Sequence, residues 1–411
     1  MIKVYPVSLE RMSSLNSTKV IILVTFFIDL SLHGAVVFGW SSIDQIIIHQ
    51  GYFTTVSNDV VNGTTAATIQ SRISGQIFVL CIGILGILLL VFGFVRDFVS
   101  FGVARILLYA NLILSYLLIA LATPTGCDNL MYAFILQMGS GIGILLSCLQ
   151  FSLFYPSYQS LLVGMANTCV AVGSIMPQIW LQAITNTSIT FTQLMIIWTC
   201  LATISLVLGL LFYPWHNLPD KREVTSEDLY TLPMIIKKKL PLLKIGDEYP
   251  TLPQMFRESA SFLKSPMFYV HMFSFSLGNC MITLTINVAN DLLVNYDEAE
   301  LENNQKTFEI LRVVINVIWG PIMGIITDLF GKYVKSEPRD AKVMLLPMFV
   351  NLILYTLIVI MALLGANSSG TLWLMFVCLA IAMTNIYVFE TLGMYSNCLT
   401  TIFYYIFQEF N

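Results

Sequence analysis

The chain is 411 residues long, 57% hydrophobic and only 11% charged, with a mean hydropathy of +0.79 and a formal net charge of −4. Soluble domains carry about a quarter charged residues, so this composition excludes an ordinary soluble globule and leaves a protein that lives in lipid. Crossing a hydrocarbon core takes about 20 apolar residues as helix. Ten stretches qualify: roughly 20–40, 74–94, 106–122, 131–153, 161–182, 192–213, 267–289, 311–330, 343–365 and 371–393. Lipid offers backbone groups no water, so such stretches must be helices or a closed barrel, and these are far too long for strands. The expected fold is an all-α polytopic membrane protein. It divides into a cytoplasmic tail over 1–19, a six-helix bundle over 20–213, a cytoplasmic linker over 214–265 and a four-helix bundle over 266–411.

In chain order, the first span reads as a signal-anchor helix with no cleavage site. It carries Asp29 and His33, four residues apart and so on one helix face. Ionisable groups in lipid are costly and usually face a cavity or a partner. The pair is therefore a candidate substrate site, a structural Asp–His bond being the alternative. The outer loop that follows holds the sequon Asn62-Gly63-Thr64, the expected glycosylation site; Asn186 and Asn367 also head sequons but lie close to the membrane. The second span closes on Gly93-Phe94-Val95-Arg96-Asp97. Gln137, Asn167 and Gln178 are single polar residues on the fourth and fifth spans, each a packing partner or a ligand, and Gly139 and Gly143 read as close helix packing.

The linker, with six prolines and Lys237-Lys238-Lys239, reads as solvated, the Lys run being a simple tether or a lipid contact, and its end over 252–265 as a short amphipathic helix on the membrane surface. The seventh span presents Ser276, Asn279, Thr283 and Asn287 as a polar stripe, the wall of a water-filled path or an interhelical hydrogen-bonding face. Arg312 and Asn316 open the eighth span, which closes on Gly324-Ile325-Ile326-Thr327-Asp328 followed by Gly331 and Lys332; Asn385 and Glu390 belong to the tenth.

Seventeen of the 20 Lys and Arg fall on one side of the ten spans, Arg96 and Arg105 among them, against Arg72 and Lys306 in outer loops. Basic residues resist translocation, so the N-terminus and the linker are expected in the cytoplasm. The outer sequons agree independently. The eight cysteines form no disulfide framework, and no Cys/His spacing suits a metal. No nucleophile–base array, phosphate loop or nucleic-acid face is present. The sequence calls for no cofactor, no metal and no catalytic residue.

The two Gly-x-x-x-Asp patterns recur at a constant offset of 231 residues, 93 to 324 and 97 to 328, each closing the second helix of a half. A polar turn repeated this way points to an internally duplicated carrier. With its Gly331 and Lys332, the second copy resembles the loop signature of the major facilitator superfamily, whose Asp caps or braces helices at the cytoplasmic gate. Against that six-plus-six architecture the C-terminal half lacks two helices, so the expected fold is the superfamily's with an incomplete second half.

The first span resembles solute carrier family 43 more specifically: Asp29 stands eleven residues before Trp40 in Val37-Phe38-Gly39-Trp40-Ser41-Ser42, with Gly51-Tyr52-Phe53 following. Ala104-Arg105-Ile106-Leu107, Leu149-Gln150, Tyr213-Pro214, Phe262-Leu263-Lys264-Ser265-Pro266 and Gly320-Pro321 also agree with that family. Departures are Phe98 after Asp97 where Arg is usual, and no basic residue between the fourth and fifth spans.

The resemblance implies a facilitative carrier of a small polar solute, amino acids first and nucleobases second, expected in the plasma membrane. A truncated, non-transporting membrane protein is the alternative. The expected substrate residues are Asp29, His33, Asn167, Asn279, Thr283 and Asn316, and the expected gate residues Gly93, Asp97, Gly324, Asp328, Gly331 and Lys332. The expected partners are a small-molecule substrate and the lipid bilayer. Gly173 and Pro177 poorly replace the Gly-Pro run of exchangers on the fifth span, which favours facilitated diffusion.

Overall fold

The computed structural model describes residues 17–34, 36–53, 66–124, 126–218, 228–240, 242, 301–334, 339–363, 373–382 and 385, of which 66–69, 90, 97–98, 148, 156, 301–306, 308–309, 312, 339–345, 348 and 362–363 are described by their backbone alone. The expected acceptor Asn62, the seventh-span residues Asn279 and Thr283, and Glu390 lie outside these. All regular elements among the described residues are helices. They are α1 Ser17–His33, α2 Trp40–His49, α3 Ala66–Phe98, α4 Phe101–Ala120, α5 Asn129–Cys148 and α6 Gln159–Gly173. Then follow α7 Met176–Asn186, α8 Phe191–Phe212, α9 Leu232–Lys238, α10 Leu301–Tyr333, α11 Arg339–Leu363 and α12 Trp373–Ala382. Short 3₁₀ turns at Val36–Phe38, Leu149–Phe154 and Pro156–Tyr158 join some of them. Six of the helical stretches are long and apolar enough to cross a membrane.

Helix ends follow local chemistry. The Ser100 hydroxyl accepts from Val103 N at 3.1 Å and starts α4. Thr190 and Gln193 form a reciprocal capping box that starts α8. Two spans are broken where the sequence suggested continuous helices. The first, expected over 20–40, ends as α1 at His33, with a 3₁₀ turn at Val36–Phe38 before α2 starts at Trp40; the fifth breaks at Ser174-Ile175 between α6 and α7, with Pro177 opening the second piece. The breaks face each other: a Cβ on Gly39 would lie 2.9 Å from Pro177 Cγ, so only glycine fits there. Beside them the Ser42 hydroxyl donates to Gln178 Oε1 at 2.7 Å.

The core of the first half gathers Phe26, Leu30, Trp40, Phe78, Leu108, Tyr116, Phe134, Phe151 and Trp180, all nearly sealed from solvent. Faces turned away from this core stay apolar, as Ile28, Val79, Ile87, Ile204 and Leu211 show. A helix hydrophobic all round is what lipid selects. The chain is thus built as a multi-pass membrane protein.

Two sequence expectations fail here. Arg105, counted with the cytoplasmic loop, lies inside α4 and is 2% exposed. The linker, expected to be solvated, is packed over 213–218 and at Leu229, Thr231 and Ile235, while residues 236–240 and Leu242 are exposed. Trp215, Leu218, Leu229 and Ile235 are buried, Leu218 N donates to Gln150 Oε1 at 2.9 Å, and Gly102 N donates to the Trp215 carbonyl at 2.9 Å. Apolar residues hidden among the prolines give this segment something to bury, and it closes one end of the first bundle.

Candidate functional site

Two sets of polar residues stand out against the apolar helices. The first lies between α1, α4 and α8. Arg105 Nη2 sits 2.6 Å from Asp29 Oδ2, and the Tyr109 hydroxyl donates to the other carboxylate oxygen. Arg105 also donates to the Ser205 carbonyl at 3.4 Å, and its guanidinium lies over the rings of Tyr109 (4.6 Å) and Tyr213 (4.2 Å). Charges out of water need such paired, hydrogen-bonded surroundings. Gly209 on α8 leaves the room the guanidinium occupies. One turn further along α1, His33 Nδ1 is 3.3 Å from the Tyr116 hydroxyl and its Nε2 is 3.4 Å from the Ser205 hydroxyl.

Asp29 and His33 do share a helix face, as their spacing requires, but that face looks into the first bundle. Asp29 is 2% exposed and His33 is fully buried. The Asp29 carboxylate is already occupied by Arg105 and Tyr109. The sequence reading missed Arg105, Tyr109, Tyr116 and Ser205. Arg105, Tyr109, Leu112 and Tyr116 fall at helical spacing on one stripe of α4, a signal that could have exposed the partner face.

The second set joins the two halves along α6 and α10. Asp328 accepts from Ser160 N at 3.1 Å and Leu161 N at 3.0 Å, the unpaired amides of the first turn of α6. A carboxylate at a helix N-terminus also opposes the positive end of the helix dipole. Backbones then approach closely enough to demand glycine. A Cβ on Gly324 would lie 2.5 Å from the Ser160 carbonyl oxygen, and one on Gly320 would lie 2.8 Å from that of Gly164. Higher on the seam the Thr168 hydroxyl donates to the Asn316 carbonyl at 3.3 Å, and Trp319 Nε1 donates to Asn385 Oδ1 at 2.6 Å. Asn167, one position before Thr168, is buried with neither amide atom hydrogen-bonded among the described residues.

The two copies of the duplicated signature differ in surroundings. Gly324 is jammed against α6, whereas a Cβ on Gly93 would meet no described atom within 4 Å. Gly331 is buried, and Lys332 places its ammonium 5.8 Å from the Tyr158 ring centroid, just ahead of α6. Among the described residues no group of three or more His, Cys, Asp or Glu could hold a metal ion.

Neither a protein-family model nor a curated protein matches the sequence. Solved structures do. The proton:xylose symporter XylE of the major facilitator superfamily, bound to 6-bromo-6-deoxy-D-glucose, matches with a TM-score of 0.56 at 11% identity over 94% of this chain and 85% of that one. The human organic anion transporter MFSD10 (TETRAN) matches with a TM-score of 0.52 at 12% identity over 93% of each chain. At such identities the likeness concerns the fold. The chain has the all-α fold of the major facilitator superfamily.

Proposed function

We propose that this chain is a facilitative transmembrane carrier that moves a small polar organic solute by alternating access, with no chemical step. The observation that supports this most is the α6–α10 seam, where Asp328 grips the start of α6 and Gly320 and Gly324 lie against its backbone. A contact made of a helix cap and close glycine packing forms or parts as a unit, which suits two bundles that rock between discrete arrangements. Amino acids are the preferred cargo and nucleobases the runner-up, both on the resemblance of the first span to solute carrier family 43. In this reading Asp29 and His33 brace the first bundle and do not touch cargo. Asn167 and Asn316, with Asn279 and Thr283, offer the polar groups.

The test is uptake of labelled neutral amino acids and nucleobases into sealed proteoliposomes, with Asn167→Ala alongside the wild type. Saturable uptake of amino acids, weakened by Asn167→Ala through a raised KM, is the expected result. Uptake of nucleobases alone would change the cargo. No uptake of either class by a correctly inserted chain would overturn the carrier reading in favour of a non-transporting membrane protein.

A further inference from the structure

We propose that α9 and the turn after it form a docking surface for anionic phospholipid in the adjoining bilayer leaflet. The segment is held in place at the end of the first bundle. Trp215 N donates to the Tyr230 carbonyl at 2.9 Å, and Trp215 Nε1 donates to the Leu242 carbonyl at 2.8 Å. Leu229 and Ile235 are buried beneath it. Lys239 adopts the left-handed conformation (φ 53°), and the turn closes with Leu240 N donating to the Ile235 carbonyl at 3.0 Å.

What this anchoring leaves outside is unusual for a water-facing linker. Met234, Ile236, Leu240 and Leu242 are 39–63% exposed, and Lys237, Lys238 and Lys239 are exposed among them. Lys238 is turned back on Tyr230, its ammonium 2.6 Å from the hydroxyl and 4.0 Å from the ring centroid. α9 packs at the end of α8, whose last residues Leu211 and Phe212 are themselves exposed apolar side chains. Exposed apolar side chains thus run from the last turn of α8 to α9, and a span that ends at Phe212 would set them near the headgroups. Large apolar side chains set among lysines at that level match a surface of acyl chains below and anionic phosphates above. An acidic soluble partner would satisfy the lysines but leave the apolar side chains to water.

The test uses the full chain in nanodiscs, with a genetically encoded environment-sensitive fluorophore at position 236. Phosphatidylcholine discs are compared with discs that also contain phosphatidylserine. Emission should shift to the blue and resist aqueous quencher only when phosphatidylserine is present, and the shift should shrink in high salt. The double substitution Lys237→Gln, Lys239→Gln, which spares the Lys238–Tyr230 contact, should lower the apparent affinity of the segment for phosphatidylserine-containing discs by about fivefold per lysine. Identical emission in the two discs, aqueous or shielded, would overturn the proposal. So would equal shielding by soluble polyglutamate over phosphatidylcholine. The wild-type lipid and salt comparisons stand even if the double variant folds poorly.

Discussion

At the scale of single residues, the buried charge pair and the glycines carry the sharpest consequences. Asp29 and Arg105 neutralise each other out of water, with Tyr109, Tyr213 and the Ser205 carbonyl completing the shell. Removing one partner leaves an uncompensated buried charge, which costs about 3–5 kcal/mol, whereas replacing both by apolar residues of similar size is often neutral. Arg105→Met should therefore destabilise the chain more than Asp29→Leu/Arg105→Met, as read from thermal unfolding in detergent. A double variant no better than the single one would place the value of Arg105 in its ring contacts. The two signature glycines predict opposite signs. Gly324→Ala must push the Ser160 backbone and should cost about 1–3 kcal/mol. Gly93→Ala meets open space among the described residues and should gain about 0.5–1 kcal/mol from helix propensity. The same unfolding assay would compare them, and equal losses would refute the asymmetry.

At the scale of elements, the seam between α6 and α10 is the part most suited to move. Its two ends differ in kind: Asp328 holds the first turn of α6 electrostatically, while Gly320 and Gly164 meet backbone to backbone. Asp328→Asn keeps a hydrogen-bond acceptor but removes the charge facing the helix dipole, a loss of about 0.3–1 kcal/mol and up to about 2 when partly buried. Ser160 is 6% exposed in the closed seam, so a thiol introduced there by Ser160→Cys reports opening. Maleimide should label it severalfold faster in the Asp328→Asn background than in the Asp97→Asn background. Equal rates in the two would leave the duplicated signature as a relic of ancestry without a mechanical role. The packed part of the linker belongs to this scale too. Tyr213 and Trp215 tie the end of α8 to α4, and Leu218 ties it to Gln150 after α5, so this part of the linker is held against the first bundle.

At the scale of the whole molecule, lipid explains both what was legible in the sequence and what was not. A long apolar run has one way to satisfy its backbone in a bilayer, which is why the span expected at 192–213 is α8 at Phe191–Phe212 and the one at 343–365 is α11 at Arg339–Leu363. The breaks in the first and fifth spans were hidden because Gly39 means little until Pro177 is seen against it. Arg105 was misplaced because a charge at the edge of an apolar run reads as a loop until its partner on another helix is known. Asp328 was legible through its repeat, but its grip on α6 is a tertiary fact. Misplacing Arg105 removes one residue from the basic side of the charge bias without reversing it, since Lys3, Arg11, Lys19, Arg96, Lys332 and Lys335 remain there. The N-terminus, the linker and the loop after α10 should therefore all face the cytoplasm, and Asn62 the opposite side. Protease protection of tags at the N-terminus and within 219–227 in sealed inside-in vesicles, together with loss of a glycosylation shift in Asn62→Gln, reads both sides in one preparation. A cleaved linker tag in intact vesicles would invert the topology. A tag pair split across the membrane would demand an odd number of spans before the linker and would overturn the six expected there.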